Sequence, residues 1–237
     1  MIRCASHQFR EGDVLHWWHT IRKDQKFDPG IRSRCSDDYL WLLYAADQYI
    51  QITKDYEILA IRIPYLVGEC LNDGEDEKYI SPQKGDSNTF LDHLERGANL
   101  FIERGVGKHS LPWIGCGDWN DGMNRVDGES VWLGMFGAIC LNRIKKYVSN
   151  EFSQKIDAHL EKLKLGINSA FNGIWYYRAI RKNGQILGND ISLESECSID
   201  LITQAFSAFY FSEFFGTKNG LDEKNVESAL QAAYDIL

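Results

Sequence analysis

Residues 115–134 read GCGDWNDGMNRVDGESVWLG and separate two stretches of helical periodicity. The segment contains four carboxylates, two tryptophans, two asparagines and five glycines, which is more functional chemistry than a connecting turn requires. Glycine lets a backbone approach a ligand, tryptophan offers an apolar face, and aspartate can transfer a proton or bind a hydroxyl. This combination favours a sugar-binding site between two helices.

Two simpler interpretations of the segment compete with a sugar site. Asp, Asn and Gly are ordinary turn and helix-cap residues, so a purely connecting role is one alternative. A calcium loop of the EF-hand type is another, because Asp118, Asn120 and Glu129 occupy its first, third and twelfth positions. The calcium loop is excluded because its obligatory glycine falls one place early, at Gly122, and Met123 stands where it should be.

The composition indicates a globular chain with one sizeable core. Of its 237 residues, 44% are hydrophobic and 25% are charged, as in ordinary single domains. The formal net charge of −8 argues against a nucleic-acid partner or an anionic membrane surface, which would both need a basic face. The N-terminus lacks an apolar signal core, and the longest apolar run, residues 131–141, is too short to span a bilayer. The sequence therefore predicts a cytoplasmic location.

Cysteine and histidine spacing predicts no metal site. The six cysteines have neither C-x-x-C nor zinc-ligand spacing, so reduced thiols are expected. His16 and His19 could form a metal-binding pair, but no third ligand follows nearby in the sequence. A structural or substrate-facing role is favoured for both.

Apolar periodicity predicts seven or eight helices in consecutive pairs. The predicted helices are one through 40–50 with Ser36 as N-cap, 55–67, one from Asn88 or Thr89 through Phe101, 131–148 with Ser130 as N-cap, 152–167, 199–215, and 222 to the last residue. An aromatic loop around Trp17 and Trp18, a turn at 28–35 and a charged loop at 72–86 are expected between them. The Asn183-Gly184 pair predicts a β-hairpin. Helical hairpins in a ring would gather the long loops on one rim.

Four segments together resemble glycoside hydrolase family 94, the inverting β-glucoside phosphorylases, and most closely the phosphorylase-like C-terminal part of cyclic β-1,2-glucan synthases. They occur in the family's order over nearly the whole chain. The segments are QFREGDV at 8–14 with HWWH at 16–19, GIRSRCSDD at 30–38 with LWL at 40–42, GDWNDGMN at 117–124 with GESVWLG at 128–134, and WYYRA at 175–179 with LG at 187–188 and ECSID at 196–200.

The resemblance implies an all-α fold, a partial (α/α)6 barrel with a small β-hairpin insertion. It implies that Asp121 is the general acid and that Arg32, Asp38 and Trp119 bind the glycosyl unit being cut, with Asp37 added by its place in the family's hydroxyl-facing loop. From their spacing alone, Asp37 and Asp38 suit the positive end of a helix dipole better than catalysis.

The family's chemistry needs one carboxylic acid. The acid protonates the leaving glycosidic oxygen while inorganic phosphate, the co-substrate, attacks the anomeric carbon from the opposite face. Burial beside Trp119 and the negative charge of Asp118 are expected to raise the pKa of Asp121 and keep it protonated. Arg34 is the local candidate for phosphate binding. No cofactor is implied.

The domain expected from the resemblance is a partial catalytic barrel over residues 1–237. Family members also carry an N-terminal β-sandwich, early barrel helices and a C-terminal phosphate-binding segment, which have no counterpart in this sequence. The family's phosphate-binding His and Thr belong to that segment. The expected partners are a β-glucan or gluco-oligosaccharide and inorganic phosphate or glucose 1-phosphate. Family members often pair, so the resemblance allows a homodimer.

Two alternatives stay open. An inverting hydrolase would need a base across from Asp121, and Glu129, Glu194 and Glu196 are the candidates. A carbohydrate-binding remnant would keep Trp119 and Arg32 without turnover.

Overall fold

The computed structural model describes residues 1–20, 28–190 and 197–237, but not the side chain of Asp121. The described part is mostly helical and carries three small antiparallel sheets. Its helices are α1 Ile2–Ala5, α2 Asp38–Thr53, α3 Phe90–Arg104, α4 Val131–Ile144, α5 Asn150–Ser169, α6 Leu201–Phe214 and α7 Glu223–Ile236. Its strands are β1 Leu15–Trp18, β2 Gly30–Ser33, β3 Arg62–Val67, β4 Glu77–Ile80, β5 Gln83–Thr89, β6 Gly128–Ser130, β7 Ala179–Arg181 and β8 Ile186–Leu187.

Helix α4 lies at the centre of the core. Its sequence, VWLGMFGAICLNRI, is apolar on every side, and a helix of that kind is buried all round. It packs against α2, α3, α5 and α6. The Ser130 hydroxyl accepts a hydrogen bond from Leu133 N at 3.1 Å, which confirms the predicted N-cap. None of the described helices combines the length and the apolar character that crossing a lipid bilayer requires.

The prediction of an N-cap at Ser36 was wrong, since Asp37 holds that position of α2. The Ser36 hydroxyl donates instead to the carbonyl of Gly117 at 2.9 Å, and Ser36 N donates to the same oxygen at 3.0 Å. Ser36 therefore ties the start of α2 to the segment at 115–125.

Four segments predicted as helix, turn or loop contain strands. Residues 62–67, expected at the end of a helix, form β3 and pair with β5, and the expected charged loop at 72–86 contains β4 and the start of β5. Pro64 offers no N–H to a helix, and β3 buries Ile63 and Tyr65 on alternate positions, as strand periodicity requires. The expected aromatic loop and arginine turn contain β1 and β2, the first two strands of the sheet β1-β2-β4.

The predicted hairpin around Asn183-Gly184 is confirmed as β7 and β8. A strand that the sequence analysis did not predict, β6, extends it to three strands by pairing with β7. The expected all-α fold with one hairpin therefore understated the β-structure. The sheet β6-β7-β8 joins the segment at 115–134 to the motif WYYRA.

Candidate functional site

The sheet β1-β2-β4, the start of α2 and the central segment, residues 115–134, meet in one region and together carry the residues predicted for the site. A bridge between Cys35 and Gly115 joins the last two. A cleft of about 240 Å³ opens there. It is lined by His16, Trp17, Ser33, Cys35, Glu77, Cys116, Gly117, Asp118 and Asn124.

Asp38, predicted to bind substrate, lies at the first position of α2 beside this cleft. Its carboxylate accepts a hydrogen bond from Ser33 Oγ at 3.3 Å and lies 3.0 Å from His16 Nδ1. The side chain keeps 18% of its surface exposed. It also borders an adjoining, mainly apolar cavity of about 400 Å³, lined in part by Trp18 and Trp41. A sugar hydroxyl could therefore reach this carboxylate.

Asp37, also predicted to bind substrate, is buried beneath the site. Trp41 Nε1 donates to its carboxylate at 2.7 Å and the Cys35 thiol lies 3.5 Å from its other oxygen. Burial raises the pKa of Asp37 to about 6; the bond from Trp41 opposes that rise, and the charges of Asp38 and Asp118 add to it. The contacts of Asp37 in this arrangement are with protein groups that shape the site.

Asp118 forms a buried ion pair that sequence reasoning missed. Both of its carboxylate oxygens accept from Arg178 Nη2, at 2.7 and 2.5 Å, and the two side chains are 0% and 1% exposed. Arg178 Nη1 also donates to Ser130 Oγ at 2.8 Å. The guanidinium offsets the Asp118 charge that was expected to raise the pKa of Asp121. The available signal was an arginine within the apolar run Trp175–Ala179, since a buried arginine needs an acidic partner.

Trp119 and Asp121 follow Asp118 on the same segment. Trp119 is 46% exposed and meets Trp132 edge to face at 6.3 Å. The Asn120 side chain accepts from Gly122 N at 2.9 Å and opens a single 3-10 turn, Asp121–Met123. The main chain of Asp121 is therefore held two residues after Trp119, whose indole is partly exposed. The side chain of Asp121 lies outside the described part, so its role as general acid stays a prediction.

The guanidinium of Arg32 is not brought together with Asp38. Along β2 the side chains alternate, so Arg32 lies on the face opposite Ser33. It is 3% exposed and makes a bidentate pair with Asp13 at 2.6 and 2.8 Å. Its other donors reach Glu11 and the carbonyl of Glu69. The predicted contact with substrate stays a prediction and would require exchange of one of these partners.

Arg34, the candidate for phosphate, lies against the loop that follows β3. Its Nε donates to the carbonyl of Glu75 at 2.7 Å and Nη2 donates to that of Asn72 at 2.9 Å. These bonds hold the loop beside β2. Phosphate binding by Arg34 stays a prediction.

One side-chain cluster at the cleft could hold a metal ion. His16, Cys35 and Asp38 each offer a ligand atom, and these atoms lie within 4.8 Å of one another. They are types that zinc accepts. Burial raises the pKa of the Cys35 thiol far above its ordinary value, which favours the protonated form over the thiolate ligand. His19, the partner considered from sequence, meets the Trp17 ring edge-on at 4.9 Å instead. The expectation that no metal binds stays a prediction.

Glu129, a candidate base for a hydrolase, is directed into the protein. It is 3% exposed, and its carboxylate accepts from His109 N at 3.1 Å and Leu111 N at 3.3 Å. His109 Nδ1 lies 2.8 Å from its other oxygen. The remaining candidates, Glu194 and Glu196, lie outside the described residues.

Comparison with known proteins finds similarity between this chain and carbohydrate-active proteins. Residues 1–213 match the model of the glycosyl hydrolase 94 superfamily, catalytic domain. The chain is 35% identical over 217 residues to the cyclic beta-(1,2)-glucan synthase NdvB of Rhizobium meliloti (strain 1021), covering 87% of this chain and 7% of that protein. It is 26% identical to the solabiose phosphorylase of Paenibacillus borealis, covering 85% of this chain and 24% of the relative. For the N,N'-diacetylchitobiose phosphorylase of Vibrio furnissii the identity is 22%, and the shares are 88% and 23%. The chain thus spans less than a quarter of the length of these three relatives.

Proposed function

Because this chain belongs to the glycosyl hydrolase 94 superfamily, we propose that it forms part of an inverting β-glucan phosphorylase or of the chain-length-adjusting region of a cyclic β-1,2-glucan synthase. The reaction is reversible phosphorolysis to α-glucose 1-phosphate, with inorganic phosphate as co-substrate and no cofactor. The proposed domain is a partial (α/α)6 barrel over residues 1–237, and helices α2 to α7 form its wall. A β-1,2-gluco-oligosaccharide or a cellobiose-type glucan is the proposed substrate, and a homodimer is compatible with this assignment.

The observation that carries the proposal is the placement of Asp38 and Trp119 on two segments that the protein ties together. The Cys35 to Gly115 bridge and the Ser36 bonds join the two segments. The buried ion pair between Asp118 and Arg178 anchors the segment at 115–134 to the protein interior. A partly exposed carboxylate can accept hydrogen bonds from sugar hydroxyls, and an exposed indole can cover a pyranose ring.

The proposed chemistry assigns each residue one task. Asp121 gives its proton to the leaving glycosidic oxygen as the bond to the anomeric carbon breaks, and phosphate forms the new bond to that carbon from the opposite face. Asp38 and Trp119 orient the glucosyl unit. Asp37 is the second carboxylate proposed to bind this unit, and burial raises its pKa to about 6.

The test measures phosphate release from α-glucose 1-phosphate with a panel of β-glucosyl acceptors. The chain, a longer form that carries the flanking segments of the family, Asp121→Asn and the neighbouring control Asp127→Asn are compared. We expect release from the longer form and its Asp127→Asn variant and none after Asp121→Asn. Equal release from the Asp121→Asn variant would contradict the role of Asp121. No phosphate release from any of the four forms would favour a carbohydrate-binding remnant without turnover.

A further inference from the structure

A cluster of three rings lies exposed beside the cleft and takes no part in the function proposed above. Trp17 is 42% exposed and Tyr79 is 52% exposed. The centroids of these two rings are 6.2 Å apart. The centroid of the His19 ring lies 4.9 Å from that of Trp17 and 6.4 Å from that of Tyr79. Contiguous exposed apolar surface of this kind is typical of an interaction site.

Strand register places this ring cluster on the same face of the sheet as the cleft. Trp17 lies opposite Ile31, which in turn lies opposite Tyr79, so the three residues form one row across β1, β2 and β4. The next row on the same face pairs Ser33 with Glu77. Trp17, Ser33 and Glu77 all line the 240 Å³ cleft. The face of rings and the cleft are therefore continuous.

The spacing between the two rows matches the size of one sugar unit. Residues two apart on a strand are separated by roughly 6.6 Å, twice the rise per residue, which is about the length of one hexose ring. Ser33 donates to Asp38. A chain whose terminal unit contacts Asp38 and whose second unit lies in the cleft beside Ser33 and Glu77 would therefore place its third unit over Trp17 and Tyr79.

The chemistry of the row suits a β-linked glucosyl unit. In β-glucopyranose every substituent is equatorial, so both ring faces present only C–H groups, which pack on an aromatic face. The exposed Glu77 carboxylate, one row nearer the cleft, can accept hydrogen bonds from equatorial hydroxyls. A sugar with an axial hydroxyl would present a polar group to the rings and lose part of that contact.

We propose that Trp17 and Tyr79 form a binding platform for a further glucosyl unit of a β-linked gluco-oligosaccharide, separate from the unit held at Asp38. The proposal rests on the function proposed above, because that function supplies the oligosaccharide. The platform gives the site a preference for longer chains, since a disaccharide bound at Asp38 does not extend over it fully.

Isothermal titration calorimetry with β-1,2- and β-1,4-linked gluco-oligosaccharides of two to five units tests the platform. The proteins are the chain itself, Trp17→Ala, Tyr79→Ala and the conservative Trp17→Phe. The matched control is Tyr234→Ala, which removes a ring that is 85% exposed on α7. We expect each platform deletion to weaken binding of the longer oligosaccharides about two- to tenfold, the range of one aromatic contact. Disaccharide affinity should stay unchanged, and Trp17→Phe should restore most of the loss.

The outcomes separate the platform from the proposed function. If the unsubstituted chain binds all lengths equally and Trp17→Ala changes nothing, the platform is overturned while the proposed function stands. If no oligosaccharide binds to any of these proteins, the platform is overturned, and phosphate release by the longer form decides separately whether the proposed function stands. If Trp17→Ala instead alters the sedimentation mass of the chain, the rings form an interface between copies and the platform is overturned. Near-ultraviolet circular dichroism of each variant shows whether the fold is retained.

Discussion

Replacement of Arg178 by Met should destabilise the chain more than any single surface change. Met has an unbranched side chain like the stem of Arg, but it carries no charge. The substitution therefore leaves Asp118 buried without its partner. The two side chains are 1% and 0% exposed, so solvent cannot replace the lost bonds. Breaking a buried ion pair by removing one partner costs about 3 to 5 kcal/mol. That is a large share of the roughly 5 to 15 kcal/mol by which native domains are stable.

Urea denaturation followed by circular dichroism measures this loss. With a denaturant slope of about 3 kcal/mol/M, the upper range for small proteins, the midpoint should fall by about 1 to 1.7 M. Arg181→Met, at the end of the strand that directly follows Arg178, is the matched control, because that guanidinium makes exposed bonds to Gln185 and the Arg125 carbonyl. It should change stability by less than about 0.5 kcal/mol.

A second variant tests the reasoning further. Asp118→Asn should cost less than Arg178→Met, because Arg178 Nε lies 3.7 Å from Asp200 and so keeps an acidic neighbour. The double variant should cost less than the sum of the two single changes, since each single change leaves a buried partner. A loss for Arg178→Met no greater than for Arg181→Met would refute the argument.

Two further predictions concern the start of α2 and the segment that it meets. Gly115→Ala should cost about 1 to 3 kcal/mol in urea denaturation, because Gly115 has φ +63° and a Cβ there would lie 2.2 Å from the Arg34 carbonyl. The control is Gly173→Ala, at φ +101° with no atom within 4 Å of the added Cβ, which introduces backbone strain without a clash. An equal loss of stability in both variants would contradict the clash at Gly115. For Asp37, the folded pKa of about 6 lies above its ordinary value of 3.8, so its stabilising contribution is complete below pH 3.8 and is lost as the pH rises through 6. Unfolding curves between pH 3.5 and 7.5 should therefore show a fall of about 3 kcal/mol that Asp37→Asn lacks, and parallel curves for the two proteins would show that the carboxyl is not perturbed.

Local signals in the sequence were enough for most helices. Thr89 accepts a hydrogen bond from Asp92 N and Ser130 accepts one from Leu133 N, each three residues along the chain. The Asn183-Gly184 turn is equally local, because the conformation that it needs is set by those two residues. Such interactions depend on neighbours in the sequence, so spacing alone could locate α3, α4 and the hairpin.

Strands β3, β4 and β5 escaped sequence reasoning because their hydrogen bonds join distant residues. Arg62 pairs with Thr89 and Gly30 with Ile80, and no short window of sequence contains both partners. The segment at 55–67 also has apolar residues that fit a helix as well as a strand. Pairing between chain segments decided the outcome.

The sequence by itself determined the chemistry available at the site: the carboxylates of Asp37 and Asp38, the indole of Trp119 and the motif that contains Asp121. Tertiary structure alone decided how those groups are used. It buried Asp37 while leaving Asp38 partly exposed, turned Arg32 to the opposite face of β2, and joined Asp118 to Arg178 across 60 residues of chain. The physical reason is that a residue's type sets which bonds it can form, whereas burial and the approach of distant segments set which bonds it must form.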